Sequence, residues 1–540
     1  MYDVTITGGR LLDGSGNPWY WADLGIKDGR IAALARVSPG VASPLTGLAQ
    51  ATIDASGKVV CPGFIDMHSH SDMPLLVNPT ADSKVRQGVT TEVIGHCGAS
   101  LAPLTESSLP VLQSAMRGLL EGESEWSWRS YGQYLDRLGK QGTALNVAGL
   151  VGHTPVRVAA MGFAQRAPEP AELQVMCDLV QEAISEGAFG WSTGLIYSPG
   201  SYAELPELTA LGRAAAERGG IYFTHMRSEG EGIFAAVDEA LAIGREAGIP
   251  VHIAHLKAAG WAQGRADRLL AALETARADG VDVTADQYPY IAGSTGLAAL
   301  LPPWAHEGGR ETMVARLKSE DDRRRMRQDM QGRLPGWDND FRCVPWTNVL
   351  ISRCDDPAYE GRSVQEIADE LGRDPYETIF DLLAQVDAGT GMVVFMMRED
   401  EVALMMGHDL VMVGTDGSAI RPDGPLGHGK PHPRSYGTFP RILGRYVRDQ
   451  GVLSLQQAVR KMTSIAANRL GLADRGQIRE GWWADVVVFD PATVIDTATF
   501  AQPHQFPAGI EHVLVNGVVV VDRGRHTGRL PGTVLRHKGS

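Results

Sequence analysis

The sequence predicts an α/β protein in which a (β/α)8 TIM-like barrel carries a small β-sandwich and an inserted α+β subdomain near the barrel mouth. Eight apolar runs recur between residues 59 and 417, helical patterns lie between several of them, and two β-rich ends frame this middle region. Near-continuous apolar strands that alternate with helices are typical of a parallel sheet buried on both faces. Eight such strands favour a closed barrel, whose functional groups lie at the carboxyl ends of the strands.

The two ends of the chain each contain alternating strands joined by tight turns. Lys27-Asp28-Gly29 and Asn516-Gly517 have the composition of hairpin turns. Neither end alone holds enough strands for a stable core. We therefore expect both ends to build one β-sandwich domain, from residues 1–58 and 475–540.

A long segment separates the seventh apolar run from the eighth. A connection of that length without structure would argue against the barrel, but this one contains a charged helical pattern from about 309 to 333. A second helix is predicted to begin at Ser363, whose spacing to Glu366 forms a capping box. The expected barrel then comprises 59–290 and 409–474, with 291–408 as an inserted, lid-like subdomain.

The composition restricts the classes of partner. The 540 residues contain 50 Lys and Arg against 64 Asp and Glu, a net charge of −14. Such a chain is poorly suited to nucleic acid or an anionic membrane surface, and no apolar run is long enough to span a bilayer. Five sparse cysteines and an N-terminus without a signal-peptide pattern predict a cytoplasmic protein. We expect a small-molecule substrate, and the sequence leaves the oligomeric state unknown.

Polar side chains that could bind a metal end several of the predicted strands. In Asp66-Met67-His68-Ser69-His70 the two imidazoles share one face of the strand, about 7 Å apart. On four other strands, the polar side chains near the end of the strand that point to the corresponding face are also potential ligands. Six potential ligands would then meet at the barrel mouth: His68, His70, Cys97, His225, His255 and Asp416.

Taken singly, each of these residues has an ordinary explanation. A buried cysteine, for example, usually behaves as a small hydrophobic residue. Confined together in one barrel mouth, however, the polar groups need partners. Imidazole, thiolate and carboxylate together are ligands for Zn²⁺. His96 has the opposite parity to Cys97, so we expect it to be structural.

Nine segments between positions 62 and 491 carry a resemblance to a known family. They make the chain similar to the amidohydrolase superfamily and, within it, to the D-aminoacylase (N-acyl-D-amino-acid deacylase) family. The segments are PGFIDMHSHSD, GVTTEVIGHCGAS, GLIYSPG, THMRSEG, HIAHLK, DQYPYIAGST, GTDG, KPHPRSYGTFPR and GQIREGWWADVVVFDP. Their combination is far more specific than any single motif.

The resemblance implies a division of the six ligands between two metal sites. A tight zinc site would use Cys97, His225 and His255. A second, weaker site would use His68, His70 and Asp416, with Cys97 as a bridge. Many superfamily members bridge their metals with a lysine on the fourth strand, which this chain lacks at 189–193. The family usually has Asn before the bridging cysteine, where this chain has His96.

The resemblance also implies the reaction: zinc-dependent hydrolysis of N-acyl-D-amino acids to a carboxylic acid and a D-amino acid. Asp416 would act as general base and then general acid. Five residues would contact the substrate: Lys257, Tyr197, Tyr288, Ser294 and Arg434. Three alternatives stay open, namely a cyclic amidohydrolase of the hydantoinase or dihydroorotase kind, an amidase for larger N-acyl or peptide-like substrates, and a non-catalytic scaffold. The missing fourth-strand lysine argues against the first.

Overall fold

The computed structural model describes residues 1–38, 43–115, 125–334, 337, 339–385 and 389–538 and has a mixed α/β fold. The strands of this described part fall into four sheets. They are β1 (Tyr2–Thr7), β2 (Arg10–Leu11), β3 (Tyr20–Lys27), β4 (Arg30–Arg36), β5 (Ala49–Asp54), β6 (Val59–Pro62), β7 (Phe64–Asp66), β8 (Val89–Ile94), β9 (Asn146–Gly149), β10 (Val151–Gly152), β11 (Gly190–Gly194), β12 (Ile221–His225), β13 (Val251–Ile253), β14 (Val283–Gln287), β15 (Ala292–Gly296), β16 (Val349–Arg353), β17 (Gly391–Phe395), β18 (Val411–Val413), β19 (Val486–Phe489), β20 (Ile510–Val515), β21 (Val518–Asp522) and β22 (Arg525–His526).

Helices connect most of the strands in the middle of the chain. No helix among the described residues is long and apolar enough to cross a membrane. The helices are α1 (Pro74–Val77), α2 (Asp82–Val85), α3 (Ser108–Ala115), α4 (Tyr131–Gln141), α5 (His153–Met161), α6 (Pro170–Ser185), α7 (Leu205–Ala216), α8 (Ile233–Ala247), α9 (Ala266–Ala278), α10 (Arg310–Leu317), α11 (Glu320–Gln331), α12 (Val364–Leu371), α13 (Pro375–Ala384), α14 (Glu399–Gly407), α15 (Arg434–Arg441), α16 (Leu455–Met462) and α17 (Ser464–Arg469), with a π-helical stretch at Ile442–Asp449.

The eight predicted apolar runs form two parallel sheets. One has the order β7-β8-β9 and the other the order β10-β11-β12-β13-β14-β18. Backbone hydrogen bonds link them at both edges: the Phe189 amide donates to the Gly149 carbonyl (2.8 Å) and the Met67 amide to the Val413 carbonyl (3.1 Å). Every residue of β8 and β12 is buried, as expected for strands covered on both faces.

Both ends of the chain contribute to one ten-stranded sheet, which runs β22-β21-β20-β19-β6-β2-β3-β1-β5 with β4 on β3. Its two predicted hairpin turns are present, and their central residues are left-handed, as in type I′ turns: φ is 51° and 78° at Asp28 and Gly29, and 48° and 78° at Asn516 and Gly517. The sequence pattern treats 59–70 as one strand. In the structure its first part, β6, pairs with β19 in this sheet, and β7 begins the parallel strands.

Residues between β14 and β18 form a compact unit with its own apolar core. The unit contains the antiparallel sheet β15-β17-β16 and helices α10 to α13. The capping box of Ser363 and Glu366 is confirmed. The single charged helix predicted over 309–333 is wrong, because Ser319 accepts a hydrogen bond from the Asp322 amide and thereby begins a new helix, α11.

The C-terminal segment crosses the amino ends of the parallel strands. The Gly532 amide donates to the Thr143 carbonyl (2.8 Å), and the Leu535 amide donates to the Val147 carbonyl (2.7 Å). Since β9 begins at Asn146, this segment covers the end of the sheet opposite to the strand termini that carry the predicted ligands.

Candidate active site

Three of the predicted ligands have strained backbones. Cys97, His255 and Asp416 follow β8, β13 and β18 within three residues and have φ values of 54°, 36° and 49°. Left-handed conformations are unfavourable for residues other than glycine and persist where the surrounding structure enforces them, typically at functional sites.

The first ligand group consists of Cys97, His225 and His255, whose donor atoms all lie within 4.8 Å of one another. The Cys97 Sγ and His255 Nε2 atoms are 3.5 Å apart. Ligand atoms placed tetrahedrally about zinc at 2.0–2.3 Å are separated by about 3.3–3.8 Å, so this spacing fits one ion.

His225 gives an independent test of whether a metal fits here. In the described part of the chain neither of its buried ring nitrogens has a hydrogen-bond partner. Burial lowers the pKa of His225 well below its ordinary value, which keeps the imidazole neutral. A neutral imidazole with an unused nitrogen is the form that binds metals.

The second ligand group consists of His68, His70, Cys97 and Asp416, with donor atoms again within 4.8 Å. The His68 Nε2 atom is 3.4 Å from Cys97 Sγ, and His70 Nε2 is 3.0 Å from an Asp416 oxygen. Cys97 thus belongs to both groups. The structure brings all six predicted ligands together around one thiol.

His96 lies in neither group. Its ring is fully buried and stacks on that of His68, with centroids 4.0 Å apart. Within the described residues neither ring nitrogen has a hydrogen-bond partner. The side chain therefore packs behind a ligand.

Asp286, in β14, is a buried acid that the sequence reasoning missed. Its carboxylate is 3.0 Å from His252 Nε2 and 3.4 Å from His68 Nδ1, and it accepts the His255 backbone amide at 3.0 Å. Although burial acts to raise its pKa, His68 and His252 hold the pKa well below the ordinary value. A carboxylate behind a ligating histidine fixes the orientation of the ring. The signal in the sequence that could have identified Asp286 was a carboxylic acid within an otherwise apolar strand.

Glu229, four residues after His225, was missed as well. Its buried carboxylate lies 2.9 Å from His255 Nδ1 and 2.5 Å from Lys257 Nζ. Burial acts to raise its pKa, but Lys257 and the two histidines lower it below the ordinary value. Glu229 is therefore an anion between a predicted ligand and a predicted substrate-binding cation.

A buried lysine holds the segment that carries Asp416. The Lys84 ammonium donates to Asp66 (2.7 Å), to the Thr415 hydroxyl (2.6 Å) and to the Gly417 carbonyl (2.9 Å). These contacts join α2, β7 and the turn after β18. Both residues flanking Asp416 are thereby fixed.

The five predicted substrate contacts line one cavity over the ligands. Arg434 lies 2.8 Å from an Asp416 oxygen and 4.7 Å above the Tyr288 ring. Burial acts to raise the pKa of Asp416, but Arg434, followed by the neighbouring histidines, holds it well below the ordinary value. The Tyr197 hydroxyl pairs with the Thr295 hydroxyl (2.9 Å), and Ser294 donates to the Met392 carbonyl (2.9 Å). The inserted unit thus forms part of the cavity wall.

An α/β fold whose parallel strands bring imidazole, thiol and carboxylate groups to one cavity is typical of a metal-dependent enzyme. The chain belongs to the amidohydrolase family, whose model matches residues 51–329 and 352–521. This confirms the resemblance found in the sequence motifs.

Two relatives from Alcaligenes xylosoxydans xylosoxydans match almost the whole chain. A D-aminoacylase is 40% identical over 536 residues, which are 99% of this chain and 97% of the relative. An N-acyl-D-glutamate deacylase is 39% identical, over 100% of this chain and 97% of the relative. A crystal structure of D-aminoacylase superposes with a TM-score of 0.81 at 37% identity, over 99% of this chain and 100% of that one. The N-acyl-D-glutamate deacylase from Bordetella bronchiseptica, complexed with zinc and a phosphonate inhibitor, superposes with a TM-score of 0.80 at 38% identity and the same coverage.

Proposed function

We propose that this protein is a zinc-dependent deacylase that hydrolyses the amide bond of N-acyl-D-amino acids and releases a carboxylic acid and a D-amino acid. The observation that carries the proposal is the Cys97 thiol, which belongs to both ligand groups. Full-length similarity to a D-aminoacylase and to an N-acyl-D-glutamate deacylase supports the substrate class.

We also propose that the parallel strands close into a (β/α)8 barrel, with the ten-stranded sheet as part of a β-sandwich. The hydrogen bonds at both edges of the two parallel sheets support closure. The corresponding domains are 1–58 with 475–540, 59–290 with 409–474, and the insertion 291–408. All five cysteines are free thiols, which supports a location in the reducing cytoplasm.

The two donor sets support an assignment of the metal ligands. Cys97, His225 and His255 would hold a tight zinc, and His68, His70 and Asp416 would complete a second, weaker site with Cys97 as the bridge. When bound, zinc supplies a Lewis acid that lowers the pKa of water from about 15.7 to near 7 and polarises the substrate carbonyl.

Asp416 is the proposed proton carrier. Its carboxylate stays ionised because Arg434 and the histidines oppose protonation, so it can accept a proton from the attacking water. It then returns the proton to the departing nitrogen, which must leave as an amine. Lys84 supports this role, since it fixes the residues on both sides of Asp416.

The α-carboxylate of the substrate needs cationic partners, and the cavity supplies two of them. Lys257 and Arg434 both lie close to Tyr288, at 5.7 and 4.7 Å from its ring. The planar guanidinium of Arg434 matches a carboxylate. We propose that Tyr197, Tyr288 and Ser294 complete the contact by hydrogen bonding to the substrate.

Amine release from N-acetyl-D-methionine and N-acetyl-L-methionine, by zinc-loaded and by chelated protein, tests the function. We expect zinc-dependent release from the D form. Opening of a hydantoin without release from either linear amide would favour a cyclic amidohydrolase instead. Cys97→Ser should lose zinc and activity, whereas Cys177→Ser, a half-buried thiol of α6, serves as the matched control.

A further inference from the structure

We infer that Glu229 is a positioning residue that orients the metal ligand His255 and the substrate-binding Lys257 through one carboxylate oxygen. The inference rests on the proposed function and extends it to a residue outside both ligand groups. Glu229 lies in the loop after β12, and the side chains of Glu229, Lys257 and His255 are only 6%, 4% and 2% exposed.

The same oxygen atom makes both contacts. Oε1 of Glu229 is 2.9 Å from His255 Nδ1 and 2.5 Å from Lys257 Nζ, and it is 3.9 Å from His225 Nε2. A carboxylate oxygen can accept two hydrogen bonds at once. Glu229 therefore joins the metal ligands to the cation that faces the substrate.

The tautomer of His255 as a metal ligand follows from which ring nitrogen faces the other ligands. Its Nε2 atom faces Cys97 Sγ at 3.5 Å. A nitrogen that ligates a metal must offer a lone pair, so His255 as a ligand through Nε2 would carry its N–H on Nδ1. Lys257 Nζ lies 2.8 Å from Nδ1, but an ammonium is only a donor. In this tautomer two donors face each other, and the Glu229 carboxylate is an acceptor within reach of both.

The inserted unit fixes the position of Glu229. The carboxylate of Asp340 accepts the backbone amides of Glu229 and Gly230, each at 2.9 Å. From the other side, the Ala259 amide donates to the Glu229 carbonyl at 2.9 Å. The loop is therefore held on both sides, and the carboxylate is oriented before metal or substrate binds.

The substitution Glu229→Gln tests the inference because it removes the charge and keeps the shape. An amide has one acceptor oxygen and adds an NH2 donor, so it serves the two facing donors poorly. The substitution would also leave Lys257 as a buried ammonium without an anionic partner in this loop. We expect weaker zinc binding and poorer recognition of the substrate carboxylate.

Zinc affinity is measured by competition between metal-free protein and a fluorescent chelator, which needs no activity. Loss of a group that orients a ligand typically weakens metal binding about ten- to hundredfold, and we expect this for Glu229→Gln. The matched control is Glu231→Gln, which changes a more exposed acid two residues away that pairs with Arg342. A weakening of less than fivefold relative to this control overturns the inference. If Glu229→Gln does not fold, Glu229→Asp is measured instead, with the same threshold, because its shorter side chain cannot reach both donors.

The role toward Lys257 is tested at saturating zinc. We compare kcat/KM for N-acetyl-D-methionine with that for N-acetyl-3-(methylthio)propylamine, which lacks the carboxylate. The wild-type preference for the carboxylate should fall at least fivefold in Glu229→Gln, whereas a merely structural defect would lower both values equally and contradict this role. If the wild type hydrolyses neither amide, the proposed function fails, and the zinc measurement still decides the inference about His255.

Discussion

The substitution Lys84→Met removes a buried cation from beneath the proposed proton carrier. Lys84 is fully buried, with its ammonium 2.7 Å from Asp66 and 3.5 Å from Glu92. Burial raises the pKa of Glu92, and the nearby Lys84 ammonium acts to lower it. Asp66 is also fully buried, so the variant leaves it without its cation in the interior.

Removing one partner of a buried ion pair typically costs about 3–5 kcal/mol of stability. We expect a loss of about 3 kcal/mol, because Asp66 retains hydrogen bonds from the Thr415 amide (2.8 Å) and hydroxyl (2.7 Å). The loss should be smaller at pH 5 than at pH 8. Without Lys84 the pKa of Glu92 in the folded protein rises further. Glu92 is then protonated and uncharged at low pH, and as the pH increases it ionises without a cation beside it, which lowers the stability of the folded protein.

Urea unfolding, followed by the fluorescence of buried tryptophans such as Trp191, measures the free energy of unfolding. Asp66→Asn added to Lys84→Met should recover at least about 1 kcal/mol, since it removes the unpaired charge. Lys140→Met, at an exposed position on α4, is the matched control and should change stability by less than about 0.5 kcal/mol. A loss below about 1 kcal/mol in Lys84→Met would show that the buried pair does not carry the stability assigned to it.

Three further predictions concern other parts of the molecule. Burial lowers the pKa of Lys461 from 10.5 to about 7. Between these pH values the unfolded chain binds more protons than the folded protein, so the free energy of unfolding should rise from pH 7 toward pH 10. The substitution Lys461→Met should flatten this rise, measured as the urea midpoint at each pH. Tyr197→Phe removes a hydroxyl proposed to contact the substrate and should lower kcat/KM at least about 10-fold. Tyr202→Phe removes a hydroxyl that bonds the Pro303 carbonyl and should leave kcat/KM unchanged. Truncation after Pro531 removes the backbone bonds to β9 and its flank and should lower the melting temperature without changing KM, because those bonds lie opposite the cavity.

The strand pattern predicted that the six candidate ligands lie close together, because parity along a strand is a local property. His68, Cys97 and Asp416 each follow a strand at its carboxyl end, and parallel strands bring those ends together. The combination of donor types indicated zinc, whereas the division into two metal sites and the reaction came from the family resemblance. The expected mixed α/β fold was confirmed.

The residues that sequence reasoning missed act through long-range pairings. Glu229 is 28 positions from Lys257, and Lys84 is 331 positions from Thr415, so no periodicity relates them. Arg434 was expected to contact substrate, and its ion pair with Asp416 depends on how the loop after β18 folds back. The break between α10 and α11 was visible as Ser319, but the charged pattern on both sides concealed it.

Anomalous diffraction at the zinc absorption edge, from crystals of the zinc-loaded protein, tests the central claim most directly. We predict a strong anomalous peak for a zinc ion about 2.3 Å from Cys97 Sγ and about 2.0–2.1 Å from nitrogens of His225 and His255. A weaker peak should lie beside His68, His70 and Asp416. Zinc found only outside the cavity, or bound without Cys97, would contradict the account.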